Sequence, residues 1–216
     1  NIMAGKSFGD ITTAFPSTTS TSLATLLTGS MPNEHGMLGY TVRVPNSDGR
    51  VLNPLKWDER VDPVFWQPKE TFFEIGARNG INVTHVAAKR YEGTGFTRAV
   101  FRGANYRGAN LYPDLVTETA AALKSTPAFV YLYVNDLDVA GHVSGYGSEK
   151  WLTALKMIDN LVAQLKAKLP KGTRIWITGD HGMLNVGQKI VIGRENLLGT
   201  EVTTIAGEPR ALQTCP

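Results

Sequence analysis

The sequence predicts an α/β protein, a doubly wound, mostly parallel sheet with helices on both faces. Three observations carry that prediction. Strand-like and helix-like segments alternate along the chain, the pattern of parallel strands joined by helical crossovers. Two short continuous apolar runs, Phe129 to Val134 and Thr173 to Thr178, read as strands buried on both faces. Between them, Glu149 to Lys168 carries Leu152, Leu155, Ile158, Leu161, Val162 and Leu165 on one stripe, a long amphipathic helix.

The remaining elements follow in chain order. Ser20 to Thr28 reads as a helix, because Leu23, Leu26 and Leu27 recur at helical spacing and Gly29 stops them. Thr41 to Lys69 has Pro45, Pro54, Pro63 and Pro68 with little periodicity, and reads as an irregular excursion. Thr71 to Asn79 repeats the helical pattern and stops at Gly80, before a β-rich run from Ile81 to Ala87. Arg90 to Gly108, rich in Gly and Arg, reads as a second irregular insertion. Tyr112 to Lys124 is a helix opened by Pro113, at a position where a missing N–H costs little. The chain is thus read as one domain over 1–216, with irregular insertions at 41–69 and 90–108.

Composition bounds the function classes. The 216 residues are 42% apolar and 19% charged, with a net charge of +3, an ordinary globular balance. No stretch approaches the roughly 20 apolar residues of a membrane span. The basic excess is dispersed, so no nucleic-acid-binding patch is expected. The first residues lack the charged start and apolar core of a signal peptide. One cysteine, Cys215, fits a reducing compartment, with the cytoplasm slightly favoured.

Two clusters of metal-competent side chains follow predicted strands, where open α/β sheets bind ligands. Asp138 and His142 form a D-x-x-G-H turn, in which Gly141 is expected to permit a tight bend. Asp180 and His181 form an adjacent pair in D-H-G-M. Carboxylate oxygen and neutral imidazole nitrogen are the mixed donors that zinc and similar ions accept. A hydroxyl-rich segment, Ser17 to Ser22, precedes the first helix, whose amino end favours an anion. His85 lies in an apolar strand pattern and reads as a core histidine.

These motifs resemble the type I phosphodiesterase/nucleotide pyrophosphatase family of the alkaline phosphatase superfamily. The run FPSTTSTSLATLLTGSMPNEHG looks like its nucleophile region, and the two Asp/His motifs match its later metal motifs in the right order. The resemblance implies an alkaline-phosphatase-like fold and two divalent metal ions, zinc foremost. It implies Thr19 as the nucleophile that forms a phosphoryl-enzyme intermediate and also as a metal ligand. Asp180 and His181 would hold the metal that activates Thr19, and Asp138 and His142 the metal that activates water. Ser22 takes a position where relatives carry a phosphate-contacting asparagine, which makes it the substrate-binding candidate. His35, in P-N-E-H-G, matches a motif read as structural.

The family pattern includes one more aspartate upstream and one more histidine downstream, so the sequence is read as incomplete at both ends. The expected activity is metal-dependent hydrolysis of phosphodiester or pyrophosphate bonds, with a small phosphate ester or nucleotide as the partner. Phosphomonoesterase, phosphonate hydrolase or sulfatase chemistry on the same ligands is the near alternative, and a non-catalytic nucleotide- or anion-binding derivative the distant one. Substrate choice is expected in the two insertions, with Trp57, Phe65, Trp66, Tyr91 and Tyr106 as candidates for stacking on a base. Arg98, Arg102 and Arg107 are candidates for phosphate contact, with a solvated basic loop as the favoured reading.

Overall fold

The computed structural model describes residues 9–192 and 202–215. The hydroxyl-rich segment leads into α1 (Thr19–Thr28), which buries Leu23, Ala24 and Leu27 and ends at Gly29. Gly29 has φ 64°, a left-handed conformation that closes the helix by donating to the Thr25 carbonyl. A single turn, α2 (Pro32–His35), follows. His35 is fully buried, and its Nδ1 accepts from the Met37 amide at 3.1 Å. Its Nε2 therefore carries the proton and donates to Thr25 Oγ1 at 3.0 Å. The turn is thereby tied to α1, the structural part expected of this histidine.

Between Thr41 and Lys69 the chain forms an antiparallel pair, β1 (Val42–Arg43) with β2 (Val51–Leu52), and one turn of helix, α3 (Pro63–Trp66). Asp62 caps α3 by accepting from the Val64 and Phe65 amides. Helix α4 (Phe72–Arg78) opens on a capping box between Thr71 and Glu74, which satisfies two amides that would otherwise be unpaired. Then come β3 (Asn82–Ala87), a 3-10 turn at Lys89–Tyr91, α5 (Gly95–Val100), β4 (Asn105–Gly108), α6 (Tyr112–Ala122) and β5 (Ala128–Leu132). Helices α7 (Asp136–Ser144) and α8 (Glu149–Lys168) and the hairpin β6 (Thr204–Glu208)–β7 (Ala211–Cys215) complete the described elements.

The central sheet has the order β4-β3-β5, with every pairing parallel. Side chains alternate across it with a period of two. On one face Val83, Tyr131 and Tyr133 pack with Leu23, Leu27, Phe73 and Phe96 from α1, α4 and α5. On the other, Val86, Val130, Leu132 and Val134 meet Leu115 and Val116 of α6 and Leu161 and Leu165 of α8. Helices thus cover both faces. Burying one such Leu or Phe side chain is worth about 1.5–3 kcal/mol, so these two layers hold the sheet.

Three expectations are corrected. Phe129 to Val134 is packed on both faces but only partly buried: among the described residues β5 pairs on one side alone, and Phe129 keeps 47% of its surface exposed. Thr173 to Thr178 forms no strand among the described residues, and Trp176 in it is 73% exposed. A strand exists only where its amides and carbonyls are paired in a ladder, and this run pairs with no strand among the described residues. Conversely, the segment from Arg90 to Gly108 is not irregular. It supplies α5 and the sheet strand β4, whose short length and Gly-rich flanks hid its period.

Candidate active site

The carboxyl ends of β3 and β5 open toward the amino end of α1. Thr18 is the cap residue of α1, in an extended conformation, but its side chain makes no capping bond. Thr19 is the first helical residue, and its Oγ1 lies 3.1 Å from His181 Nε2 across 162 residues of sequence. His181 Nδ1 lies 2.8 Å from the Gly182 carbonyl oxygen, which only accepts, so Nδ1 carries the proton. The Nε2 lone pair therefore faces the Thr19 hydroxyl.

Asp138 and His142 do not lie in a turn. They sit four residues apart on α7, with His142 Nε2 3.3 Å from Asp138 Oδ1. The helical period brings the pair together, so the bend expected at Gly141 is absent. A Cβ on Gly141 would overlap the Met183 thioether. The glycine of D-x-x-G-H is therefore the seat for the methionine of D-H-G-M, and this contact joins the two motifs. His181 Nε2 lies 3.9 Å from Asp138 Oδ1 and 3.8 Å from Asp180 Oδ2.

Thr13 is a member of the site that sequence reasoning missed. Its hydroxyl donates to the Asp180 carbonyl at 2.8 Å, so it accepts from Ser22 Oγ, also at 2.8 Å. The hydroxyl of Ser22, the substrate-binding candidate, is thus turned into a buried chain that fixes the Asp180–His181 loop to α1. Arg210 at the tip of the β6–β7 hairpin donates to the Ser17 carbonyl at 3.0 Å and pairs with the buried Glu208. Neither Thr13 nor Arg210 carries a motif, and each is tied to the site by a main-chain carbonyl more than 150 residues away in the chain. No sequence signal points to them.

Burial first, and then the negative charge of Asp180, raises the ionisation of Tyr131 and Tyr133 far above the ordinary phenol range. Both tyrosines lie on the α1 face of the sheet, which puts the carboxylate on that side. Asp138 Oδ1 and Asp180 Oδ2 are both buried, and neither has a hydrogen-bond partner among the described residues. An unpartnered buried carboxylate oxygen is costly unless a cation or donor meets it. Two such oxygens beside two imidazoles and a hydroxyl have the donor chemistry that suits divalent ions. Among the described residues, no three His, Cys, Asp or Glu side chains form one metal-holding cluster.

The other candidates separate cleanly. Arg98 pairs with Glu59 and Arg107 with Glu118, while Arg102 binds Glu74 and the carbonyls of Gln67 and Ala99. These arginines hold loops together, because a nearby carboxylate already satisfies each. Trp57 donates to the Val61 carbonyl and backs Gly95, Trp66 packs on the core, and Tyr106 donates to the Ala88 carbonyl. Phe65 is 85% exposed on α3. Only Tyr91, 6.2 Å from the Tyr133 ring, adjoins the site. His85 is a core histidine stacked 3.9 Å from Phe101, but neither ring nitrogen has a partner among the described residues.

The chain is similar to several known proteins. The model of the type I phosphodiesterase/nucleotide pyrophosphatase family matches residues 1–216. An uncharacterized pyrophosphatase/phosphodiesterase of Schizosaccharomyces pombe is 22% identical over 196 residues, covering 85% of this chain and 40% of its own length. The structure of murine ectonucleotide pyrophosphatase/phosphodiesterase 5 is 17% identical with a TM-score of 0.54, covering 73% of this chain and 42% of that one. Phosphonoacetate hydrolase from Sinorhizobium meliloti, in complex with phosphonoacetate, aligns with a TM-score of 0.49 at 17% identity, covering 72% and 43%. The chain spans about two fifths of the length of these relatives. It belongs to the type I phosphodiesterase/nucleotide pyrophosphatase family.

Proposed function

We propose that this site hydrolyses a phosphodiester or pyrophosphate bond of a nucleotide-type substrate, through a phosphothreonine at Thr19 and with two divalent metal ions, zinc foremost. The observation that carries the reading is the approach of His181 Nε2 to within 3.1 Å of Thr19 Oγ1, with carboxylate oxygens of Asp138 and Asp180 within 4 Å of the same nitrogen.

Asp180 and His181 would hold one ion beside Thr19, and Asp138 and His142 the other. When bound, such ions supply positive charge that lowers the pKa of a hydroxyl or water and offsets charge on phosphoryl oxygens. The chain's own residues do the rest. The amino end of α1 presents Thr19 where its unpaired amides favour an anionic phosphoryl group. The Thr19 hydroxyl gives up its proton to solvent and its oxygen bonds to phosphorus, while the bond to the leaving oxygen breaks with its electron pair. Water then repeats the displacement and frees Thr19. Ser22 and Thr13 keep the Asp180–His181 loop against α1 throughout.

Thr19→Ala in the full-length protein is expected to lower kcat at least about 1,000-fold with metal content unchanged. Wild type acid-quenched with its substrate should carry on Thr19, by mass spectrometry, a phosphoryl group still esterified to the nucleoside. Near-wild-type turnover by the alanine variant would sink the assignment.

A further inference from the structure

The arginines that the sequence offered for phosphate contact are all consumed by glutamates or main-chain carbonyls. Arg90 is not. It stands in the turn Lys89–Tyr91, just past the carboxyl end of β3, the central strand of the sheet. Its Nη2 donates to the Tyr91 hydroxyl at 3.0 Å and to Asn135 Oδ1 at 3.1 Å, and its guanidinium carbon lies 4.8 Å over the Tyr91 ring. No carboxylate pairs with it among the described residues. These contacts orient the guanidinium plane yet engage only Nη2, so the Nε and Nη1 hydrogens remain available. An arginine fixed by one nitrogen, with its other edge free, is arranged for two-point contact with a phosphate.

Its position relative to Thr19 follows from α7. Asn135 immediately precedes that helix, and Asp138 and His142 lie three and seven residues further on, so all three share one face. Arg90 is therefore bonded to the face of α7 that carries half of the site. Tyr91 continues the same wall, its ring 6.2 Å from Tyr133, which feels the charges of Asp180 and Asp138. Beyond Arg90 an open groove of about 380 Å³ runs between the turn and α7, with Lys150 on its border. Asp136 also borders this groove, and its charge acts on Tyr112.

We propose that Arg90 is a specificity-determining residue that receives an anionic leaving group, a second phosphate, next to the phosphorus attacked at Thr19. The inference rests on the hydrolase reading above and deepens it: a pyrophosphate bond would be preferred over a diester whose leaving group is neutral until it departs.

The test compares wild type with Arg90→Gln and Arg90→Lys in the full-length protein, using a nucleotide sugar and bis(p-nitrophenyl) phosphate as substrates. Arg90→Gln is expected to lower kcat/KM for the nucleotide sugar about 30-fold, mainly through KM, since it removes charged hydrogen bonds to the second phosphate. The aryl diester should change less than about twofold, and lysine should recover part of the loss. Equal losses on both substrates, or none on either, would overturn the proposal. A second arm needs no turnover. Inorganic pyrophosphate titrated calorimetrically into both proteins should bind at least tenfold more weakly to Arg90→Gln, with inorganic phosphate unchanged. Equal pyrophosphate binding overturns the role of Arg90 even if the wild type hydrolyses both substrates. A wild type that hydrolyses neither, but loses pyrophosphate binding on Arg90→Gln, overturns the hydrolase reading and keeps the anion site.

Discussion

At the scale of single residues, Thr13 has the clearest consequence. It carries one hydroxyl between Ser22 and the Asp180 carbonyl, two contacts of 2.8 Å. Thr13→Val keeps the shape and removes both, leaving Ser22 Oγ and the carbonyl unpaired at a cost of about 1–3 kcal/mol. Turnover should fall about tenfold or more as the Asp180–His181 loop loosens, while Thr13→Ser should restore it. Comparing kcat for the two variants at matched thermal stability checks this. A loss in Thr13→Ser with none in Thr13→Val would show that the threonine methyl, not its hydroxyl, matters. The identities of Thr19, Asp138, His142, Asp180 and His181 were readable in the sequence because each lies in a short motif. Thr13, Arg90 and Arg210 were not, because each acts through a partner distant in the chain or through a main-chain atom. The partners of Arg98, Arg102 and Arg107 were equally hidden, because their glutamates lie 11 to 39 residues away and become neighbours only on folding.

At the scale of elements, α7 and the loop after Gly179 behave as one unit through Gly141 and Met183. Gly141→Ala adds helix propensity worth up to about 1 kcal/mol, yet its Cβ would displace the Met183 thioether. The side chain of Met183 is flexible and can move, so the melting temperature should change little. Activity should fall about tenfold, because the same movement shifts His181, two residues before Met183. Met183→Ala in the Gly141→Ala background should recover part of the activity, and a double-mutant cycle on kcat/KM measures the coupling. If the two losses simply add, the contact does not transmit. The long helix α8 was legible to its ends, since its apolar stripe and its Ser148 cap are both local. Helix α7 was read as a turn because its apolar residues are few and its middle is Ala-Gly.

At the scale of the whole molecule, two buried histidines make folding sensitive to acid. Burial lowers His35 to about 4 and His85 to about 3, each from about 6.5. A histidine whose folded pKa lies below its unfolded value binds fewer protons when folded. Its contribution to stability is therefore complete above about pH 6.5 and is lost as pH falls toward the folded value. The melting temperature should accordingly drop between pH 6.5 and pH 4, most steeply where both residues contribute. His85→Phe preserves the stack on Phe101 and removes two unpartnered nitrogens. It should raise stability by about 1 kcal/mol near pH 7.5 and by more at pH 5, flattening the profile. A pH series of thermal melts on both proteins decides it, and parallel profiles would acquit His85.

What the sequence determined by itself was local or ordered along the chain. The apolar period placed α1, α4, α6 and α8, and the spacing and order of three motifs named the family. Tertiary structure alone decided the rest: that, among the described residues, β5 lies at an edge and 173–178 forms no strand, that β4 joins the sheet, and which polar groups are already satisfied. The physical reason is the same in each case. A helix closes its hydrogen bonds within its own segment, so its sequence suffices to announce it. A strand, an ion pair or a catalytic contact is completed by groups brought from elsewhere in the chain, and only packing chooses them.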